Sequence, residues 1–298
     1  MTRLLEMFGP TFARLRGEPL RAAIDASEGR TVMAEIVAAA PPLMAGTSNP
    51  ELVSAFGADL VCLNMVDPRS TGVVVAGLEA IDPAPAGFAE LADLLGRPVG
   101  LNLEPELDSV PAAFRASAES ARLAFEHGAA FVVITANPGR GATLASLIKA
   151  VEVVRSEAPD LVCLAGRMHR AGSDERIDES TALGLTDAGA QGVLVPVPGT
   201  VPGIDESAAR AMAAAAQDAG ALAMGTIGTS QEGAEVATMQ SLALAAKRVG
   251  FDLHHIGDAG YTGIAAPENI YAYSVALRGR RHTWNRMARS TRASWKRG

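Results

Sequence analysis

A short pattern of polar and apolar positions recurs along the chain: a glycine, a small residue, then an apolar run closed by a polar or turn-forming residue. It reads Gly57-Ala-Asp-Leu-Val-Cys-Leu-Asn64, then Gly128-Ala-Ala-Phe-Val-Val-Ile-Thr135. Gly189-Ala-Gln-Gly-Val-Leu-Val-Pro196 and Gly220-Ala-Leu-Ala-Met-Gly-Thr226 follow, and Gly250-Phe-Asp-Leu-His-His-Ile-Gly257 is a looser copy. Glycine at such a point ends a helix in the left-handed conformation. The uninterrupted apolar run after it is that of a strand buried on both faces of a parallel sheet. Three further runs, Thr31–Val37, Pro98–Glu104 and Leu161–His169, bring the predicted strands to eight.

Between the strands lie Ala-rich segments with helical periodicity, at Val110–Glu126, Thr143–Ala158, Glu206–Ala219 and Gln231–Val249. The first sets Phe114, Ala118, Ala121 and Phe125 on one stripe. Strands alternating with helices imply right-handed βαβ units, and eight of them close into a (β/α)8 TIM barrel. An open doubly wound sheet would show a glycine-rich turn after its first strand, and Ala38-Ala-Ala-Pro-Pro42 is not one. The reading divides the chain into an N-terminal helical extension over 1–28 that plugs the barrel bottom, a barrel over 29–278, and a basic C-terminal helical tail over 279–298.

Composition narrows the class. Of 298 residues 48% are hydrophobic but only 4% aromatic, so the core must be aliphatic. Cys62 and Cys163 each sit inside an apolar run and read as buried small hydrophobes. Charges at Arg3, Glu6, Arg14, Arg16 and Glu18 leave no signal-peptide core, and no uncharged run is long enough to span a bilayer. These features point to the cytoplasm and away from the membrane. From Arg278 onward there are eight Lys or Arg residues and no acid, while the rest of the chain has 18 basic against 33 acidic residues. Without interleaved aromatics this basic tail is a weak case for nucleic acid. With Trp284 and Trp295, the chain's two tryptophans, it reads better as a contact between copies in a homo-oligomer.

In such barrels the ligand site is built by the C-terminal ends of the strands and the loops that follow. Glu35 lies within Val32-Met-Ala-Glu-Ile-Val37, a costly place for a carboxylate unless it is paired or functional. Asn102 and Glu104 share a face at the end of the third strand, and alternation puts Arg167 and His169 together at the end of the fifth. Glu35, Glu104, Arg167 and His169 are therefore the catalytic candidates. A structural Glu–Arg pair inside the barrel would account for two of them. Asn64, Asn102, Asn137 and Asp258 are the substrate-binding candidates, although strand-end Asn and Asp also serve as turn formers and helix caps. His254 and His255 lie in the eighth strand, one facing in and one out.

The last two loops carry a further signal. Gly225-Thr-Ile-Gly-Thr-Ser230 runs into a helix opened by Gln231-Glu232, and Gly257-Asp-Ala-Gly-Tyr-Thr-Gly263 follows the eighth strand. Glycines admit an anion to the backbone, hydroxyls donate, and loops seven and eight are where phosphate-binding barrels hold phosphate. Gly228, Thr229, Ser230, Gly257 and Gly260 are the phosphate-binding candidates.

Gly46-Thr-Ser-Asn-Pro-Glu-Leu-Val, Phe56-Gly-Ala-Asp-Leu-Val-Cys-Leu-Asn64, His255-Ile-Gly-Asp-Ala-Gly-Tyr261 and Arg281-His-Thr-Trp-Asn-Arg-Met-Ala-Arg-Ser290 resemble a bacterial family of TIM-barrel proteins. The family is often labelled haloacid dehalogenase-like or phosphoenolpyruvate phosphonomutase-like. The resemblance covers nearly the whole chain and implies no particular reaction. Haloacid dehalogenase-type chemistry needs an Asp-x-Asp motif, and the sequence has none. Phosphonomutase-like barrels hold magnesium with clustered acids, where the third strand here offers Asn102-Leu-Glu104.

Lys149, Lys247 and Lys296 fall on helices or the tail, which disfavours a Schiff-base aldolase. The expected activity is acid/base chemistry by an isomerase, epimerase or lyase on a small phosphorylated sugar or acid. Glu35 or Glu104 would be the base, His169 the acid and Arg167 the clamp. A second enzyme reading has Glu35, Asp67, Glu104 and His169 hold Mg2+ or Mn2+ for lyase, phosphonomutase-like or hydrolytic chemistry. A third is a non-enzymatic ligand-binding or assembly protein on an inherited barrel.

Overall fold

The computed structural model describes residues 2–70, 72–79, 81–170 and 173–290. Eight parallel strands close in sequence order into a barrel. They are β1 Thr31–Val37, β2 Leu60–Asn64, β3 Val99–Leu103, β4 Phe131–Thr135, β5 Val162–Gly166, β6 Gly192–Pro196, β7 Leu222–Ile227 and β8 Leu253–Ile256. The first and last pair directly, with Met33 opposite His255. The fold is the α/β TIM barrel that the alternating pattern predicts.

Each strand run sorts its alternate residues to two environments. Met33, Leu60, Cys62, Val133, Leu164, Leu194, Met224 and Leu253 belong to the interior cluster. Their neighbours in sequence, such as Val32, Val61, Val132 and Cys163, pack outward under the helices. Large and small residues interdigitate inside: a Cβ on Gly100 would strike Phe131, and one on Gly192 would strike Leu164. The repeat glycines Gly57, Gly128, Gly189, Gly220 and Gly250 take φ of 108°, 87°, 98°, 87° and 94°, the left-handed turn that the motif required of them.

The outer layer is α3 Asn49–Ala55, α4 Phe88–Leu95, α5 Ala118–Glu126, α6 Leu144–Glu157, α7 Glu179–Asp187, α8 Glu206–Asp218, α9 Val236–Val249 and α10 Pro267–Ser290. Two starts differ from the periodicity. The segment from Val110 holds a short 3-10 turn, Ala112–Phe114, and the helix begins only where Ser117 caps it by accepting from the Ser120 N–H. Likewise Gln231–Gly233 is a 3-10 turn rather than the start of α9, because Ser230 sits at φ 74° and turns the chain aside.

The barrel bottom is closed by α1 Gly9–Ala13 and α2 Gly17–Asp25. Leu4, Phe12, Leu20 and Ile24 join the interior cluster from below. The basic C-terminal segment is not a loose appendage. α10 is broken at Gly279, φ 76°, and beyond the break Arg286 is buried. Its Nε donates to Asp59 Oδ1 at 2.6 Å, and its other nitrogens donate to Leu4 O and Met7 O at 2.8 and 3.0 Å. Arg278 binds the other oxygen of Asp59, so one buried carboxylate ties α10 and the N-terminal plug to β2. Trp284 is exposed and donates from Nε1 to the Tyr271 hydroxyl. Trp295 and Lys296 lie outside the described residues.

Candidate active site

The interior of the barrel changes from apolar to polar as the strands approach their C-terminal ends. A cavity of about 340 Å³ opens there, and its lining includes side chains from β1, β2, β3, β4 and β8. On its floor Glu35 Oε2 lies 2.5 Å from His255 Nε2. Asn102 Nδ2 donates to Glu35 Oε1 at 3.1 Å, and the Thr135 hydroxyl donates to Asn102 Oδ1 at 2.8 Å. The result is one chain of hydrogen bonds running from β8 through β1 and β3 to β4. Glu35 is 3% exposed and His255 fully buried, and His255 Nδ1 has no partner among the described residues. A buried carboxyl in direct contact with a buried imidazole is an arrangement suited to general acid/base work.

On the wall beside this pair Asn64 Nδ2 donates to Asp258 Oδ2 at 3.1 Å. Glu104 and Asn137 stand opposite with Arg140, whose Nε is 3.7 Å from Glu104 Oε1. Burial raises the Glu104 carboxyl above the usual carboxylate range, and the nearby guanidinium only partly opposes this. His169 lines the rim, where burial lowers its imidazole below the ordinary 6.5. Cys62 sits beneath the floor, its thiol driven up by burial and by Glu35 and Asp258, so it is an inert filler.

Several predicted residues are placed otherwise. Arg167 does not enter the mouth. β5 puts Val162 and Leu164 inside, so position 167 faces outward. There Arg167 pairs with Glu175 and donates to Ala142 O at 3.3 Å. It is absent from the mouth lining and pairs with Glu175 rather than Glu35, and among the described residues the guanidinium at the mouth is that of Arg140. Asp67 is held by Arg69 at 2.9 Å and is absent from the mouth lining. Glu35, Asp67, Glu104 and His169 thus do not converge, and among the described residues no group of three His, Cys, Asp or Glu side chains is placed to hold an ion. The residues do not fit the divalent-metal reading.

The phosphate loops are also corrected in part. Gly228 and Ser230 line the mouth, and a Cβ on Gly228 would strike Met168 Sδ. The Thr229 hydroxyl turns away to Thr200 O at 3.0 Å. In the turn after β8 three N–H groups that could meet an anion are already taken. Gly257 donates to Ile227 O, Ala259 to Glu232 Oε1 and Gly260 to Asp258 Oδ1, at 2.8, 3.0 and 2.9 Å. Two of these acceptors are carboxylates, the opposite of an anion site.

Among the described residues, three titratable side chains of the mouth escaped the sequence reading as site members: His255, Arg140 and Glu232. His255 was open to inference, since Leu253 and His255 share a strand face. Arg140 follows β4 in a loop with no motif around it. Glu232 looked like an ordinary acid in the first turn of a helix, yet it is 2% exposed and lines the cavity.

The fold and the mouth define a (β/α)8 protein with a polar, acid-rich site at the C-terminal end of its barrel. The chain belongs to the family described as a domain of unknown function, DUF7916, whose model matches residues 5–293. No curated protein matches the sequence. Among solved structures it is similar to a protein of Burkholderia cenocepacia J2315 provisionally described as a lyase/mutase, at 19% identity over 89% of this chain and 87% of that one, TM-score 0.50. It is also similar to oxaloacetate acetylhydrolase, at 10% identity over 83% and 82%, TM-score 0.52. A Schiff base-forming fructose-1,6-bisphosphate aldolase matches at 15% identity over 85% and 96%, TM-score 0.54. At these identities the likeness is one of fold. The dehalogenase-like label finds no support in these comparisons. The aldolase forms a Schiff base, whereas among the described residues no lysine lines the mouth here. Lys149 lies in α6, and Lys247 in α9 donates to Leu277 O at 2.9 Å. Among the described residues no helix is long and apolar enough to cross a membrane.

Proposed function

We propose that the protein is a cytoplasmic enzyme of isomerase, epimerase or lyase type that moves a proton next to the carbonyl of a small hydroxylated compound. The observation that carries this reading is the buried Glu35–His255 contact on the cavity floor. The pair acts as the base: it takes a proton from the carbon beside the carbonyl, while Asn102 and Thr135 hold Glu35 in place. Arg140 and Asn64 on the walls supply donors to the ligand's oxygens.

The charge of the mouth favours a ligand with few negative charges over a phosphorylated one. Among the described residues Glu35, Glu104, Glu232 and Asp258 share the mouth with one guanidinium, Arg140, and carboxylates already engage the Ala259 and Gly260 N–H groups of the turn after β8. Gly228 and Ser230 then serve as a close-packed wall against the ligand rather than as a phosphate clamp. Exposed Trp284 is the part of the basic segment that supports a homo-oligomer.

The test is exchange of solvent deuterium into a panel of hydroxyaldehydes, hydroxyketones and 2-oxo acids, with phosphorylated counterparts alongside, followed by proton NMR. Enzyme-dependent exchange into an unphosphorylated member supports the reading. Exchange confined to phosphorylated members overturns the ligand assignment, and no exchange in any member overturns the reaction.

A further inference from the structure

Glu232 is a buried carboxyl of which the fold uses one oxygen. It is 2% exposed, lies in the 3-10 turn between β7 and α9, and lines the same mouth as Glu35. Its Oε1 accepts the Ala259 N–H at 3.0 Å, while Oε2 is buried without a partner among the described residues. A buried carboxylate oxygen left unpaired is costly, and a structural carboxylate would be placed to satisfy both oxygens. The turn itself is held without the side chain: Asn269 Nδ2 donates to Glu232 O and to Ala234 O at 3.0 and 2.6 Å. The residue is also positioned by a strained backbone, since Ser230 and Ala259 on either side of the contact adopt φ of 74° and 54°.

We propose that Glu232 is a second catalytic residue, the acid that protonates the ligand's carbonyl oxygen from Oε2 while the Glu35–His255 pair takes the carbon-bound proton. The proposal rests on the acid/base reading above. The step balances as an enolisation. The C–H bond breaks and its proton goes to the base, the electron pair forms the C=C bond, the C=O bond becomes C–O, and the Glu232 O–H proton goes to that oxygen. Glu232 is left as a carboxylate and recovers its proton when the enediol collapses. The balance of its surroundings favours the protonated form relative to an exposed carboxyl. Burial raises the carboxyl above the usual range and Asp258 raises it further, while its own backbone N–H, the Ala259 N–H and His255 oppose them; Asn269 of α10 brings no charge.

Two readouts test it. Infrared spectroscopy of the full-length protein at neutral pH is expected to show a carboxylic-acid C=O band that disappears in Glu232→Gln; absence of that band in the wild type overturns the proposal. In the exchange assay Glu232→Gln is expected to lose about 10²-fold in rate and to lose the alkaline fall of the wild-type pH profile, with Glu232→Asp recovering part of both. A wild-type rate in Glu232→Gln overturns the proposal even if the band is present. Glu35→Gln separates the two ideas. If it abolishes exchange while Glu232→Gln does not, the base assignment stands and this one falls. If Glu232→Gln abolishes exchange while Glu35→Gln does not, the base assignment falls and this one stands.

Discussion

Glu35 and His255 are 220 positions apart in the chain and 2.5 Å apart in the fold, meeting across the seam where β1 pairs with β8. The seam joins the first strand to the last, so the pair exists only in a closed barrel. Its burial beside the polar bridge of Asn102 makes it the organising contact of the mouth.

Asn102 should be felt in stability as well as in activity. Asn102→Leu removes the donor to Glu35 Oε1 and the acceptor of the Thr135 hydroxyl in a buried site. Leaving such groups unpaired costs about 1–3 kcal/mol. Urea unfolding should show a lower midpoint with an unchanged slope; a midpoint equal to the wild type would mean that the bridge carries no weight.

Asp59 is the second buried charge centre, at the opposite end of the barrel. Burial pushes its carboxyl up, and Arg278 and Arg286 more than reverse this, holding it below the ordinary 3.8. Asp59→Ala would leave those guanidiniums buried without their counter-charge and should cost about 3–5 kcal/mol. The sign of the pH effect follows from the lowered value: the stabilisation is complete above the unfolded carboxylate's titration and is lost as pH falls through the folded one. Guanidinium unfolding of Asp59→Asn against wild type at pH 7 and near pH 3 checks both points. A difference between the two proteins that does not shrink on acidification would contradict the assignment.

His254 faces outward, between the Tyr273 hydroxyl at 2.9 Å and Gly29 O at 3.1 Å. Burial lowers its imidazole from 6.5 to about 3. The unfolded chain therefore takes up a proton at a pH where the folded protein does not, and stability falls as pH drops from 6.5 toward about 3. His169 and His282 are shifted the same way. His254→Gln should flatten part of the decline in unfolding midpoint between pH 6.5 and pH 4.5, a window chosen by the ordinary imidazole and carboxylate values. An equally steep decline in the variant would show that the imidazole is not kept neutral.

If copies of the chain associate through the basic segment, Trp284→Glu should lower the native mass while leaving the far-ultraviolet circular dichroism unchanged. Arg286 is unsuitable for this test because it is part of the barrel bottom. An unchanged mass would remove the oligomer proposal.

The fold was legible because five strands announced themselves twice, by an apolar run and by a glycine before it, and the other three by the apolar run alone. Thr31–Val37 is the clearest strand, and a charged residue in its middle marked Glu35 as unusual. Arg167 was misplaced for a physical reason. Strand β5 is buried on both faces, so Leu161-Val-Cys-Leu-Ala has no polar alternation to tell inside from outside, and the strand ends at Gly166 before the residue is reached. His169 reaches the mouth by the loop, not by alternation. Glu232 was hidden because an acid after Ser230 fits a helix N-terminus equally well, and only the left-handed turn at Ser230 sends it into the cavity.

The central claim is that the Glu35–His255 pair abstracts a proton, and it is tested most directly by solvent deuterium exchange into the best ligand of the panel. The comparison is wild type against Glu35→Gln and His255→Asn, each checked for folding by thermal melting. The account predicts that both variants fold and bind the ligand but exchange at least about 10²-fold more slowly. Exchange at the wild-type rate in both would contradict it.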